Sequence, residues 1–214
     1  MISWKLFTLL VKAAELTVLY SAISITIGFV ISTGVASAAM SANRGLAFLG
    51  KLYVSFFRGT PLLVQLLLIY YLLPGIGLDV PSHVAAIAGM ALCTSAYQAE
   101  ILRGGFAGVP KGLVEAAEMC GFSRLAVFRR IRLPIAVKLT IPALVSEAIM
   151  MLKSSSLISV VGVVELTRMA QNLAASTYKP LEIYLAAGAV YLAINLVLAA
   201  FGLGLERHMR WGRI

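Results

Sequence analysis

Long apolar runs separated by short polar segments dominate this chain. A helix needs about 20 residues to cross a bilayer, and five runs have about that length: 16–40, 52–74, 84–102, roughly 139–164 and 181–205. They predict an all-α polytopic membrane protein with five transmembrane helices, forming a single domain over residues 1–214. An odd number of spans places the two termini on opposite sides of the membrane.

The second run is interrupted by Gly59-Thr60-Pro61. Thr60 followed by Pro61 is typical of an N-cap with proline at the first helical position. The segment 62–73 would reach only about 18 Å, which is too short to span. We therefore expect the helix to start upstream near Lys51 and to be kinked or restarted at this break. The alternative makes Thr60 and Pro61 a hinge or part of a translocation path.

The fourth run contains polar groups at membrane depth. If the helix enters the membrane near Leu139, Glu147 lies about 12 Å along it, close to the midplane of the bilayer. A carboxylate there usually faces the bundle interior or an aqueous path. Lys153 and Ser154-Ser155-Ser156 follow, and the serines are expected to unwind the helix. Glu147, Lys153, Ser154 and Ser155 are therefore candidate substrate-path residues, together with Thr60 and Pro61. In the alternative interpretation, Glu147 bonds to a neighbouring helix for structure alone.

Residues 103–138, between the third and fourth runs, form a long basic and polar loop. A short helix is predicted from Leu113 to Cys120, and Gly121 suits the C′ position after it. Ser123 is expected to start a second helix and Pro134 to end it. The loop offers a surface to a cytoplasmic partner but carries no catalytic grouping.

Composition and charge agree with a membrane protein and fix its orientation. Mean hydropathy is +0.93, only 13% of residues are charged, and the net charge is +9. The basic residues are separated by apolar runs, so they form no nucleic-acid patch. One side, with the 103–138 loop and the carboxyl-terminal tail, carries 13 of the 18 lysines and arginines. Basic loops face the cytoplasm, so the amino terminus is predicted outside and the carboxyl terminus, which includes Arg213, inside.

The spacing within the loop resembles a known motif. The loop contains Glu115-Ala116-Ala117, three residues, Gly121, nine residues, Ile131, one residue and Leu133-Pro134. This spacing resembles the EAA motif of ABC importer permease subunits. The stretches FFRGTPLLVQLLLIYYLLP, SAYQAEILRGG and LKSSSLISVVGVVEL are similar to those of polar amino acid and opine permeases of the histidine, glutamine and arginine type. The resemblance implies a type I ABC importer permease. Its loop would form the coupling helix that sits in a cleft of the ATPase subunit. The implied ATPase contacts are Glu115, Ala116, Ala117, Gly121, Ile131, Leu133 and Pro134.

The same resemblance implies a function and its partners. The chain would be a permease for polar or basic amino acids or opines in a bacterial inner membrane, surrounded by lipid. It would receive cargo from an extracytoplasmic binding protein and pair with a copy of itself or a second permease. ABC ATPase subunits would bind the ATP, because the chain lacks a G-x-x-x-x-G-K-[ST] loop. His83 and His208 have no metal-ligand spacing, so we expect a non-enzymatic subunit without a metal or cofactor of its own.

Two other function classes fit the hydropathy. An ion-coupled secondary transporter or channel for small amino-containing solutes would use Glu147 as a proton or sodium site. A structural or assembly protein would use the basic loop only as a solvated face. The EAA spacing argues against both.

Overall fold

The computed structural model describes residues 4–210, which are helical over nearly their whole length and contain no β-strand. Between Trp4 and Arg210, nine α-helices follow one another, with a π-helical turn before α7 and a 3-10 helix after it. Residues 1–3 and 211–214, including the tail residue Arg213, lie outside the described part. The bounds are α1 Trp4–Ala39, α2 Arg44–Gly59, α3 Leu62–Gly75, α4 Ser82–Ala107, α5 Lys111–Met119, α6 Arg124–Val127, the π turn Phe128–Arg132, α7 Leu133–Ser154, the 3-10 helix Ser155–Val161, α8 Leu166–Thr177 and α9 Pro180–Arg210.

The long apolar runs correspond to long helices. Within residues 4–210, four helical stretches are long and apolar enough to cross a membrane: α1, α4, the run Arg124–Val161 and α9. A fifth span results when α2 and α3 are counted together. The predicted all-α polytopic architecture is therefore confirmed. The helix α8, which lies between the fourth and fifth predicted runs, was not predicted.

The α2–α3 junction differs from a kinked span. The chain breaks at the predicted place, but the two helix axes differ in direction by 103°, so α2 does not extend the path of α3 through the membrane. The predicted N-cap at Thr60 is wrong. Thr60 caps the end of α2, where its backbone N–H and its hydroxyl both donate to the Phe56 carbonyl, and Pro61 takes the N-cap position of α3. The last carbonyls of α2 need donors, and Thr60 supplies those for Phe56.

Gln65 completes this bend from inside the bundle. Its side chain is buried, and its Nε2 donates to the Phe57 carbonyl at 2.8 Å and to the Thr60 carbonyl at 2.9 Å. Unpaired backbone carbonyls are costly in an apolar environment. One glutamine therefore makes an abrupt change of direction tolerable at the membrane boundary.

Small side chains allow α1 to pack closely on α4. A stripe of buried small residues runs along α1: Thr17, Ser21, Ser24, Gly28, Ser32 and Ala36. The Ser24 hydroxyl also donates to the Ile87 carbonyl of α4 at 3.3 Å. Small residues let membrane helices approach closely, so this contact forms the centre of the bundle.

The crossing of α4 and α7 depends on Gly105. A Cβ at this position would lie 2.6 Å from the Ala136 carbonyl oxygen and 2.6 Å from Thr140 Cγ2, whereas a Cβ on the adjacent Gly104 would meet nothing within 4 Å. We expect Gly105→Ala to cost about 1–3 kcal/mol, as overpacking does, because a backbone carbonyl cannot rotate away. Gly104→Ala is the matched control and should melt no lower than the wild type. Thermal unfolding of the purified chain in detergent distinguishes them, and equal midpoints for the two variants would disprove this account of the crossing.

Pro134 does not end a helix, contrary to expectation. The helical path continues from Arg124 to Val161, and Pro134 lies in the first turn of α7. A π turn precedes it, in which the Leu133 N–H bonds to the Phe128 carbonyl five residues back. The wider turn shifts the carbonyls that a proline ring would otherwise meet. The serine run also differs from expectation, since from Ser155 the helix tightens into a 3-10 helix.

Candidate functional site

The predicted partner contacts lie in residues 108–134, called here the EAA segment. Helix α5 ends at Met119, and Gly121 follows with a φ of +81°. The Gly121 N–H donates to the Glu118 carbonyl at 3.0 Å and the Phe122 N–H to the Ala117 carbonyl at 3.2 Å. This pair of bonds is the Schellman motif, with a left-handed residue at C′. Gly121 therefore has the predicted conformation, and glycine is favoured there by its positive φ.

The surface of the EAA segment is partly apolar. Ala116 is exposed, but Ala117 is 6% exposed and packs inward, so the two alanines do not form one smooth patch. Four large apolar side chains are exposed instead: Leu113, Met119, Phe122 and Leu125. Clustered exposed apolar side chains mark interaction surfaces. The surface offered to a partner therefore consists of Ala116 and the exposed carboxylate Glu115 with these apolar groups around them.

Aromatic contacts attach the EAA segment to the membrane bundle. The Phe128 ring packs against Phe106 at the end of α4, with 5.6 Å between ring centroids. The Arg132 guanidinium lies 5.9 Å from the centroid of the same Phe106 ring. Val127 is buried beside them. The EAA segment therefore contacts α4 directly and is continuous with α7.

The remaining predicted contacts lie where the EAA segment joins α7. Ile131 is in the π turn and half-buried, Leu133 is half-buried at the start of α7, and Pro134 is exposed. Glu115, Ala116 and Gly121 therefore lie on the outer surface, while Ile131 and Leu133 turn partly towards the chain itself.

Glu147 lies inside the bundle, as its position in the fourth run predicted. Its side chain is 7% exposed, and its Oε1 accepts a hydrogen bond of 3.1 Å from the Thr94 hydroxyl of α4. Ser95 and Gln98, which follow Thr94 along α4, are also buried. Within residues 4–210 this is the one hydrogen bond of the carboxylate, which has about four acceptor sites. The bond to Thr94 suits a structural role, and the unused acceptor sites suit a cationic ligand.

The other predicted path residues lie in two regions, the end of α7 and the α2–α3 bend. Lys153 is exposed, whereas Ser155 is fully buried and donates to the Leu152 carbonyl at 2.7 Å. Ser154 is half-buried at the end of α7. Thr60 and Pro61 belong to the α2–α3 bend. Among the described residues, the side chains of these five and Glu147 share no hydrogen bond or ion pair with one another.

Glu165 is an important residue that the sequence reasoning missed. It is fully buried at the N-cap of α8, where its carboxylate accepts bonds from the backbone N–H groups of Thr167 and Arg168, both at 2.9 Å. It also accepts from the Thr17 hydroxyl of α1 at 3.3 Å and the Tyr191 hydroxyl of α9 at 2.8 Å. Burial is the largest influence and raises the pKa of the Glu165 carboxyl, and these hydrogen bonds offset only part of that rise. One carboxylate thus joins three helices.

Replacing Glu165 tests this junction. We expect Glu165→Ala to lose the N-cap, worth about 0.5–2 kcal/mol, and to remove the hydrogen bonds that the Thr17 and Tyr191 hydroxyls donate to the carboxylate. Glu165→Gln keeps an acceptor oxygen at the same reach and should lose less. Thermal unfolding and proteolysis of the α8 region should therefore rank wild type above Gln and Gln above Ala. The junction would lose its assigned role if the alanine variant were as stable as the wild type.

Comparisons with known proteins agree along most of the chain. The family described as binding-protein-dependent transport system inner membrane component matches residues 7–211. The octopine transport system permease protein OccM of Rhizobium meliloti is 38% identical over 205 residues, covering 92% of this chain and 84% of the relative. The nopaline transport system permease protein NocM of Agrobacterium fabrum is 40% identical over 203 residues, covering 90% and 84%. A solved amino acid ABC transporter with histidines has 33% identity and a TM-score of 0.86, covering 97% of this chain and 99% of that one.

Proposed function

The chain belongs to the family of binding-protein-dependent transport system inner membrane components, and we propose that it imports polar or basic amino acids or opines. It is a multi-pass permease subunit of an ABC importer, in agreement with its relatives. An ion-coupled carrier is not favoured, because the family and the relatives are transport-system components of this importer class.

One observation carries the cargo proposal: Glu147 is a buried carboxylate with unused acceptor sites inside the bundle. A carboxylate at membrane depth attracts a cationic amino group, and hydrogen bonds to charged groups are stronger than those between neutral groups. The names of the relatives supply the chemical class, since they transport octopine or nopaline. Amino acids and opines both carry such a group.

Competition for uptake tests the cargo. Vesicles containing the assembled importer should take up a labelled basic amino acid, and excess unlabelled basic amino acid or opine should reduce that uptake. A sugar or a dicarboxylate without an amino group should not compete. Uptake that is competed equally by solutes without an amino group would refute the proposed cargo class.

The proposed coupling uses the EAA segment. The exposed surface around Glu115, Ala116 and the Gly121 turn docks in a cleft of an ABC ATPase subunit, which binds and hydrolyses the ATP. Phe128 and Arg132 pass the displacement to Phe106 of α4. The chain itself supplies no ATPase chemistry and no metal or cofactor.

The proposed assembly contains two permease subunits, either identical or related, two ATPase subunits and an extracytoplasmic binding protein. About five spans are few for an enclosed path, and the six candidate path residues share no hydrogen bond or ion pair in the described chain, so a second subunit would complete the path. The single domain spans the inner membrane with its amino terminus outside and its carboxyl terminus in the cytoplasm, following the distribution of basic residues.

A further inference from the structure

Helix α2 has the composition of a helix that lies on a membrane surface. Arg44, Lys51 and Arg58 are seven residues apart, so they form one basic stripe that drifts by only about 20° per step. A neighbouring apolar stripe is more than half exposed and consists of Phe48, Leu49, Leu52 and Phe56. Helices with a basic edge and an exposed apolar face bind at the boundary between headgroups and acyl chains.

The bend at Gly59 gives α2 a matching direction. The axes of α2 and α3 differ by 103°. The helix α2 therefore lies across the direction of α3, the more apolar member of the pair, which is the arrangement of a helix on the membrane surface beside one that enters the bilayer. Its other side is fixed to the bundle, because Gly50 and Val54 are buried and a Cβ on Gly50 would lie 2.6 Å from the Ala39 backbone nitrogen.

A groove of about 480 Å³ lies beside α2 and is lined by Ala39, Met40, Lys51, Glu100, Arg103 and Ala107. Lys51 is exposed and pairs with no carboxylate among residues 4–210. Glu100 accepts two hydrogen bonds from Arg103, at 3.0 and 2.9 Å, and lies 3.7 Å from Arg58. Arg103 and Arg58 therefore already compensate Glu100, and Lys51, which lines the same groove, leaves it with an excess of positive charge.

We propose that this groove binds the phosphate of an anionic phospholipid of the cytoplasmic leaflet, with Lys51 and Arg103 contacting the phosphate. The acyl chains of that lipid lie along the exposed apolar stripe of α2. Charge complementarity selects the occupant, because a neutral apolar partner would leave Lys51 buried without a counter-ion. The inference is independent of the cargo and rests only on the cytoplasmic placement of the basic side proposed above.

The test measures lipid preference in the assembled importer. Purified complex in detergent is titrated with fluorescent phosphatidylglycerol and, separately, with phosphatidylcholine carrying the same label. The wild type should bind phosphatidylglycerol several-fold more tightly. Lys51→Gln should reduce that preference about fivefold, as expected for one basic residue near an anionic headgroup.

Lys12→Gln is the matched control, since it removes the same charge from an exposed position of α1. Position 12 is 27 residues before Ala39, or about 40 Å along the helix, and the preference should be unchanged. The proposal is overturned if Lys51→Gln retains the wild-type preference or if both variants lose it equally. It is also overturned if the complex shows no preference at all, which would mean that a neighbouring subunit covers the groove.

Discussion

Replacing Gly121 by valine is expected to reduce ATP-driven uptake at least tenfold while the chain still inserts into the membrane. The φ of +81° at Gly121 lies in the left-handed region, which costs an ordinary residue about 1–2 kcal/mol and a β-branched residue more. A Cβ there would meet nothing within 4 Å in this chain, so strain of the backbone is the cause. The turn would relax, and the surface around Ala116 would move relative to α4.

Gly121→Asn is the informative control for this prediction. Asparagine adopts the left-handed conformation readily, so the turn should persist with a larger side chain. Uptake and ATP hydrolysis are measured together in reconstituted vesicles. We expect the valine variant to hydrolyse ATP without proportionate uptake and the asparagine variant to retain more coupling. A valine variant that transports normally would remove the EAA segment from the coupling mechanism.

Replacing Glu147 by glutamine is expected to raise the KM for a basic amino acid at least tenfold. The amide oxygen still accepts from Thr94, so the packing is kept while the charge is lost. A hydrogen bond to a charged group contributes about 1.5–3 kcal/mol, which corresponds to more than a tenfold change in affinity. The KM for a neutral polar amino acid should rise less, because a zwitterion carries the same amino group but no net positive charge, so the carboxylate attracts it less strongly than a basic amino acid.

Thr94→Val separates cargo binding from packing. It removes the hydroxyl donor but keeps the carboxylate, so the preference for basic cargo should persist. Initial rates of uptake across a range of cargo concentrations provide the measurement. Unchanged KM values and cargo profile in Glu147→Gln would assign this residue a structural role only.

The apolar runs predicted the fold because bilayer thickness and helical rise leave few solutions. The local chemistry of Gly121 was equally predictable, since an αL position after a short helix favours glycine. The fold at Gly59–Pro61 was only half predicted. The sequence indicates a break there, but the 103° change of direction depends on Gln65, a residue 8 positions beyond Phe57 that reaches back to bond its carbonyl.

Features that a single short segment does not reveal explain the other errors. A proline inside a helix usually breaks it. The π turn at Phe128–Arg132 makes room for Pro134 in the first turn of α7. Ala117 was expected on the surface because α5 was considered alone, without the rest of the EAA segment that covers it. Glu165 was overlooked because glutamate is not a favoured N-cap residue, and its partners Thr17 and Tyr191 are 148 and 26 residues away.

Affinity purification of this chain from its native membrane, with its partners identified by mass, tests the central claim most directly. The account predicts a P-loop ATPase in the purified complex, and a second permease-like chain if the assembly is heteromeric. A homodimeric permease would give the ATPase alone. Recovery of the chain without any ATPase, under conditions that preserve a known importer complex, would contradict the account.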